Sequence, residues 1–121
     1  MLELIDIGIE NATAFRVSGK ISEKEMSCVL SNAKEKTAQF GKIVIYEEIQ
    51  SLGGIEFSAI ADKFRYLFDM GLSNLTKIAI VTDKDWIQKI AKIEDNLFKH
   101  IEIKAFSFDE KALAIAFLKK A

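Results

Sequence analysis

The sequence predicts a single α/β domain with the element order ββαβαβαβα, a sandwich built on a mixed, mostly parallel five-stranded sheet with four helices. Three observations carry this expectation. The runs Lys42-Ile43-Val44-Ile45-Tyr46 and Lys77-Ile78-Ala79-Ile80-Val81 are apolar at consecutive positions rather than alternate ones, as strands covered on both faces require. Amphipathic stretches of helical period lie between the strands, and two of them stop at Gly41 and Gly71. Two Ser-x-x-Glu boxes, Ser22 with Glu25 and Ser107 with Glu110, mark helix starts.

Taken in order, residues 2–9 and 14–20 are predicted as two strands joined through Glu10-Asn11-Ala12-Thr13 in a hairpin. In the second strand Phe15, Val17, Gly19 and Ile21 alternate with Arg16, Ser18 and Lys20, the period of a strand wetted on one face, so the pair belongs toward one side of the sheet. Ser22 then caps a helix whose packing face is Met26, Val29, Leu30, Ala33 and Phe40, with Ile21 stapled to Met26 and Gly41 as the stop. Residues 42–46 form a central strand. After a loop holding Gly53 and Gly54, a second helix carries Phe57, Ile60, Ala61, Phe64, Leu67 and Phe68. Residues 77–81 form another central strand, and Asp83 caps a third helix with Trp86, Ile87, Ile90 and Ile93. Ile101, Ile103 and Ala105 alternate with Glu102 and Lys104, as in an edge strand, before a closing helix faced by Leu113, Ala116 and Phe117.

Composition narrows the functional classes. With 17 basic and 18 acidic residues in 121, the chain has no excess of cations for a phosphate backbone, so nucleic acid is not an expected partner. Acids near the start, where a secretory signal needs positive charge, and the lack of an apolar run of about 18 residues point to a cytoplasmic chain without a membrane span. Cys28 is the one cysteine, which leaves no internal disulfide and no cysteine-based metal cluster; it falls opposite the packing face of its helix and should be exposed. His100 has no second ligand at metal spacing, so neither a metal nor a cofactor is expected.

The element order, with Gly54-Ile55-Glu56-Phe57-Ser58-Ala59 entering the second helix, Asp62-Lys63-Phe64 within it, and Lys77-Ile78-Ala79-Ile80-Val81-Thr82-Asp83 followed by Trp86, resembles the STAS fold of anti-sigma-factor antagonists. More closely, the chain resembles the SpoIIAA-like branch of small bacterial proteins, related to lipid-carrying CRAL-TRIO domains. That resemblance covers nearly the whole chain and implies a binding or interaction module rather than an enzyme. Antagonists of the STAS group carry a phosphorylated serine in an Asp-Ser-Ser-Gly-like segment at the second helix. This chain lacks the segment; by position Ser58 is its nearest counterpart and Ser51 the second.

In open α/β sheets ligands meet the loops beyond the carboxyl ends of the strands. Those loops are expected to supply Glu47, Glu48, Gln50, Ser51, Gly53 and Gly54 after the third strand, Thr82, Asp83, Asp85 and Trp86 after the fourth, and Ser107 after the fifth. Glu47 and Glu48 are neighbours, so in a strand they point to opposite faces and cannot act as a carboxylate pair. Two functions follow as expectations. One is a non-enzymatic module in which Gly53, Gly54, Phe57, Phe64, Phe68, Asp83 and Trp86 hold a small apolar or amphipathic ligand. The other is a protein-interaction switch phosphorylated at Ser58 or Ser51. No convergent acid, base and nucleophile supports catalysis. A homodimer is compatible with an edge strand and apolar helices.

Overall fold

All five predicted strands are present in a computed structural model of the chain, which describes residues 2–18, 22–51, 75–82 and 102–120. They are β1 (Leu2–Leu4), β2 (Ala12–Ser18), β3 (Ile43–Ser51), β4 (Leu75–Val81) and β5 (Glu102–Phe106), hydrogen-bonded side by side in that order. β1 runs antiparallel to β2, and every pair from β2 to β5 is parallel. The described residues carry two α-helices, α1 (Glu23–Phe40) and α2 (Lys111–Lys119), not the four expected. The two middle helices were expected within residues 52–74 and 83–101, outside the described residues.

β1 is shorter than expected and the link to β2 longer. The Gly8 N–H donates to Asp6 Oδ1 at 2.8 Å and Gly8 takes a φ of 81°, so the chain turns out of the strand after Leu4. It returns to pairing at Ala12, two residues before the expected start. β2 also departs from a strand wet on one face: Ala12, Thr13, Ala14 and Phe15 are all buried. The cause is cover on both sides, with α1 over one face and Ile5, Ile7 and Ile9 packed toward Ala12 and Ala14 on the other. Only Arg16 and Ser18 keep partial exposure.

α1 starts as its box predicts. The Glu25 N–H donates to Ser22 Oγ at 3.1 Å and the Ser22 N–H donates to Glu25 Oε1 at 3.2 Å. The other Glu25 oxygen accepts from the Leu2 N–H, tying β1 to the helix start. Gly41, at a φ of 83°, ends the helix and its N–H donates to the Thr37 carbonyl. Val29 and Ala33 are buried and Cys28 is exposed, as expected, but Phe40 is exposed at the last turn rather than packed.

α2 follows a 3-10 turn over Phe108–Glu110, where the Glu110 carboxylate accepts from both the N–H and the hydroxyl of Ser107 at 3.0 Å. Its buried residues are Ala114 and Leu118, while Leu113 and Ala116 of the expected face are exposed and Phe117 is half-buried. The 3-10 turn advances three residues per turn and rotates the helix that continues it, so the face differs from that of a helix counted straight from Ser107. Lys77 fixes the far end: its ammonium donates to the carbonyls of Phe117 and Lys120 at 3.1 and 2.7 Å and lies over the Phe117 ring.

Strand alternation divides the core. One face of the sheet carries Ala12, Ala14, Val44, Tyr46, Ala79, Val81 and Phe106, which pack with Ala114 and Leu118 of α2. The other carries Thr13, Phe15, Val17, Ile45, Ile49, Ile78 and Ile80, with α1 joined to it through the hydrogen bond from the Thr13 hydroxyl to Asn32.

Candidate functional site

β3 lies in the middle of the sheet and runs past the end of β4, so its last residues define the carboxyl edge where ligands are expected. Glu47, Glu48, Gln50 and Ser51, expected in a loop, are strand residues; pairing with β2 continues as far as Ser18 and Ser51. Two adjacent carboxylates therefore sit inside a covered sheet, pointing to opposite faces as alternation requires.

Glu48 is 3% exposed and held by three side chains. The register places Arg16 of β2 directly beside it. Arg16 Nε donates to Glu48 Oε2 at 2.8 Å, and Arg16 Nη1 donates to Glu3 Oε1 on β1 at 2.8 Å. The Tyr46 hydroxyl, two residues back on the same face, donates to Glu48 Oε1 at 2.7 Å, and the Lys111 ammonium at the start of α2 is 3.5 Å from that oxygen. Burial by itself would raise the Glu48 carboxyl, but the hydrogen bonds from Arg16 and Tyr46 and the Lys111 charge outweigh it and hold it below its ordinary value. Burial raises the Tyr46 hydroxyl, with its bond to Glu48 adding to the effect. The cluster thus fastens β1, β2, β3 and α2 together and leaves Glu48 permanently ionised at neutral pH.

Glu47 faces the opposite layer and is as deeply buried, but no cation or donor of the described residues meets it. It is 4% exposed, and its partners in register are Phe15 on β2 and Ile80 on β4. Its Oε2 atom has no hydrogen-bond partner among the described residues. Burial pushes its pKa up to about 8, so the carboxyl keeps its proton at neutral pH. Thr82, directly after β4, is 1% exposed; its N–H donates to the Phe106 carbonyl at 2.9 Å, but its hydroxyl has no partner among the described residues. The carboxyl end of the two central strands thus holds two buried polar groups with hydrogen-bonding capacity unused.

Of the residues expected to form the site, Gly53, Gly54, Phe57, Ser58, Phe64, Phe68, Asp83 and Trp86 lie outside the described residues, as do Asp85 and His100. Ser51 ends β3. Glu47 and Glu48 lie near the carboxyl end of β3, on opposite faces, and Thr82 directly follows β4. The Arg16 cluster was not anticipated; its sequence signal was a charged pair continuing a fully apolar strand, which demands a buried partner for at least one of the two. A concavity of about 560 Å³ opens at the amino ends of the strands, between Ile5, Ile7 and Ile9 on one side and Lys36 and Phe40 on the other. No group of three His, Cys, Asp or Glu suited to a metal occurs among the described residues. None of the described helices is long and apolar enough to cross a membrane.

An open, mostly parallel sheet with an antiparallel strand at one edge and, among the described residues, a helix on each face is an α/β fold of the STAS type. A family model described as SpoIIAA-like matches residues 12–119, and the chain belongs to that family. Among curated proteins and among solved structures no match was found.

Proposed function

We propose that the chain is a non-enzymatic binding module that holds a small amphipathic ligand at the carboxyl end of its parallel strands. The observation that carries this reading is that Glu47 Oε2, on β3, and the Thr82 hydroxyl, directly after β4, are buried with no hydrogen-bond partner among the described residues. Leaving such a group without a partner costs about 1–3 kcal/mol, a cost that a bound molecule relieves. Their surroundings, Phe15, Ile45, Ile49 and Ile80, suit an apolar body. Gly53 and Gly54 follow β3 by two residues and Asp83 follows Thr82 directly, which supports their proposed place at the rim, with Phe57, Phe64, Phe68 and Trp86 as proposed apolar walls. A catalytic role is not part of this proposal: Glu48 is committed to Arg16, Tyr46 and Lys111, and Glu47 has no nucleophile or base beside it among the described residues.

Nondenaturing mass spectrometry of freshly purified protein, compared with its denatured mass, tests the reading. Extra mass lost on denaturation is the expected result, and the same spectrum reports whether the proposed homodimer forms. A clean apo mass carrying a covalent phosphate increment would overturn it in favour of an interaction switch modified at Ser58 or Ser51.

A further inference from the structure

The two buried groups without a partner among the described residues also bear on the polar end of the ligand, an inference that rests on the reading of the chain as a binding module. Around Glu47 the described elements present no charge: Phe15 and Val17 face it from β2, Ile78 and Ile80 from β4, and Val29, Ala33 and Asn32 line the α1 side of the same layer. Glu48 points the other way, toward Arg16. Thr82 lies two residues beyond Ile80, directly after the end of β4, about 7 Å further along the chain in the strand direction.

A carboxyl that keeps its proton has one O–H to donate, and a threonine hydroxyl has another. We propose that Glu47 and Thr82 together receive the uncharged carbonyl head of an apolar-chain molecule, such as an amide, an ester or an undissociated acid, by donating hydrogen bonds to its oxygen. An ammonium head is disfavoured. It would require Glu47 to ionise and would bury two charges in an apolar layer. The raised pKa of Glu47, about 8, agrees with the neutral form.

The probes are decanamide and decylammonium, titrated calorimetrically into the full chain and its Glu47→Gln, Glu47→Leu and Thr82→Val variants at pH 6 and pH 9. Decanamide is expected to bind the parent chain at pH 6 and about tenfold more weakly at pH 9, once Glu47 has lost its proton. Glu47→Gln, which keeps an N–H donor and folds without a titrating group, should retain the pH 6 affinity and lose the pH dependence. Glu47→Leu should weaken decanamide about tenfold and Thr82→Val about fivefold. Decylammonium binding that strengthens toward pH 9, or decanamide binding indifferent to both Glu47 variants, would overturn the assignment of the head while leaving the binding module standing. Failure of both amphiphiles to bind any variant at either pH overturns the assignment together with the reading beneath it.

Discussion

Glu47 and Glu48 are neighbours on one strand, both almost completely buried, and their environments drive them in opposite directions. Glu48 faces the α2 side, where Arg16, Tyr46 and Lys111 converge and hold it ionised. Glu47 faces the α1 side, where burial acts on it unopposed and keeps it protonated to about pH 8. The difference teaches that burial alone does not decide the charge of a carboxylate; what decides it is whether donors and cations on its own face oppose that burial. A strand with one carboxylate on each face can therefore serve as a structural anchor on one side and as a reserve of unused hydrogen-bonding capacity on the other.

The sharpest way to break the comparison is pH. The Glu47 proton stays on the folded chain up to about pH 8, whereas the unfolded carboxyl releases it near 4.5. Between those values the folded state binds more protons, so stability is greatest at the acid side and falls by up to about 1.4 kcal/mol per pH unit as pH rises, roughly 5 kcal/mol across the window. Glu48 acts in the other sense. Its lowered pKa contributes stability present above about 4.5 and lost as pH falls below that, so the two windows do not overlap. Urea denaturation of the parent chain and Glu47→Gln at pH 5, 6, 7 and 8 should show the slope in the first and its removal in the second. Equal slopes would mean that Glu47 has a charged partner in solution.

Replacing each carboxylate by methionine tests the same contrast with opposite signs. Glu48→Met leaves the buried Tyr46 hydroxyl without an acceptor and Arg16 with Glu3 alone, and should cost about 3 kcal/mol at pH 7 by chemical denaturation. Adding Tyr46→Phe removes the orphaned hydroxyl and should restore about 1 kcal/mol of that loss, a coupling that a double-mutant cycle reads directly. Glu47→Met, by contrast, removes from an apolar layer a polar group that has no partner among the described residues, and should raise stability by about 1–2 kcal/mol at pH 7. A loss of similar size at both positions would erase the distinction between the faces.

Much of this architecture was legible in residue order, for identifiable reasons. The strands at 42–46 and 77–81 declared themselves because covered strands are apolar at successive positions, and Ser22 with Glu25 declared α1 because the two atoms that cap it are three residues apart. The face of α2 was misread because Ala112 to Leu118 is apolar throughout, so no polar stripe shows where the core lies and the 3-10 turn alone sets the phase. Arg16 and Glu48 are 32 residues apart, and only the parallel register of β2 on β3 makes them neighbours. The unpaired state of Glu47 depends in the same way on Phe15 and Ile80, one from each flanking strand. Alternation gave the opposite orientation of the two carboxylates; it could not say which face would hold the cations.

The smallest expected effect separates a general loss of stability from a change in the face that Glu47 occupies. Ser22 caps α1, the helix on that face, but its hydroxyl bonds only within the box at the helix start and reaches no group near Glu47 among the described residues. Ser22→Ala should therefore cost about 1 kcal/mol, the usual worth of a lost cap. It should cost the same at pH 5 as at pH 8, shifting the stability curve down in parallel, because the proton on Glu47 is held by the apolar layer and not by the helix start. A steeper or flatter curve in the variant would mean that fraying of α1 lets water reach Glu47, and the burial that keeps the carboxyl neutral would then belong to the helix as much as to the sheet.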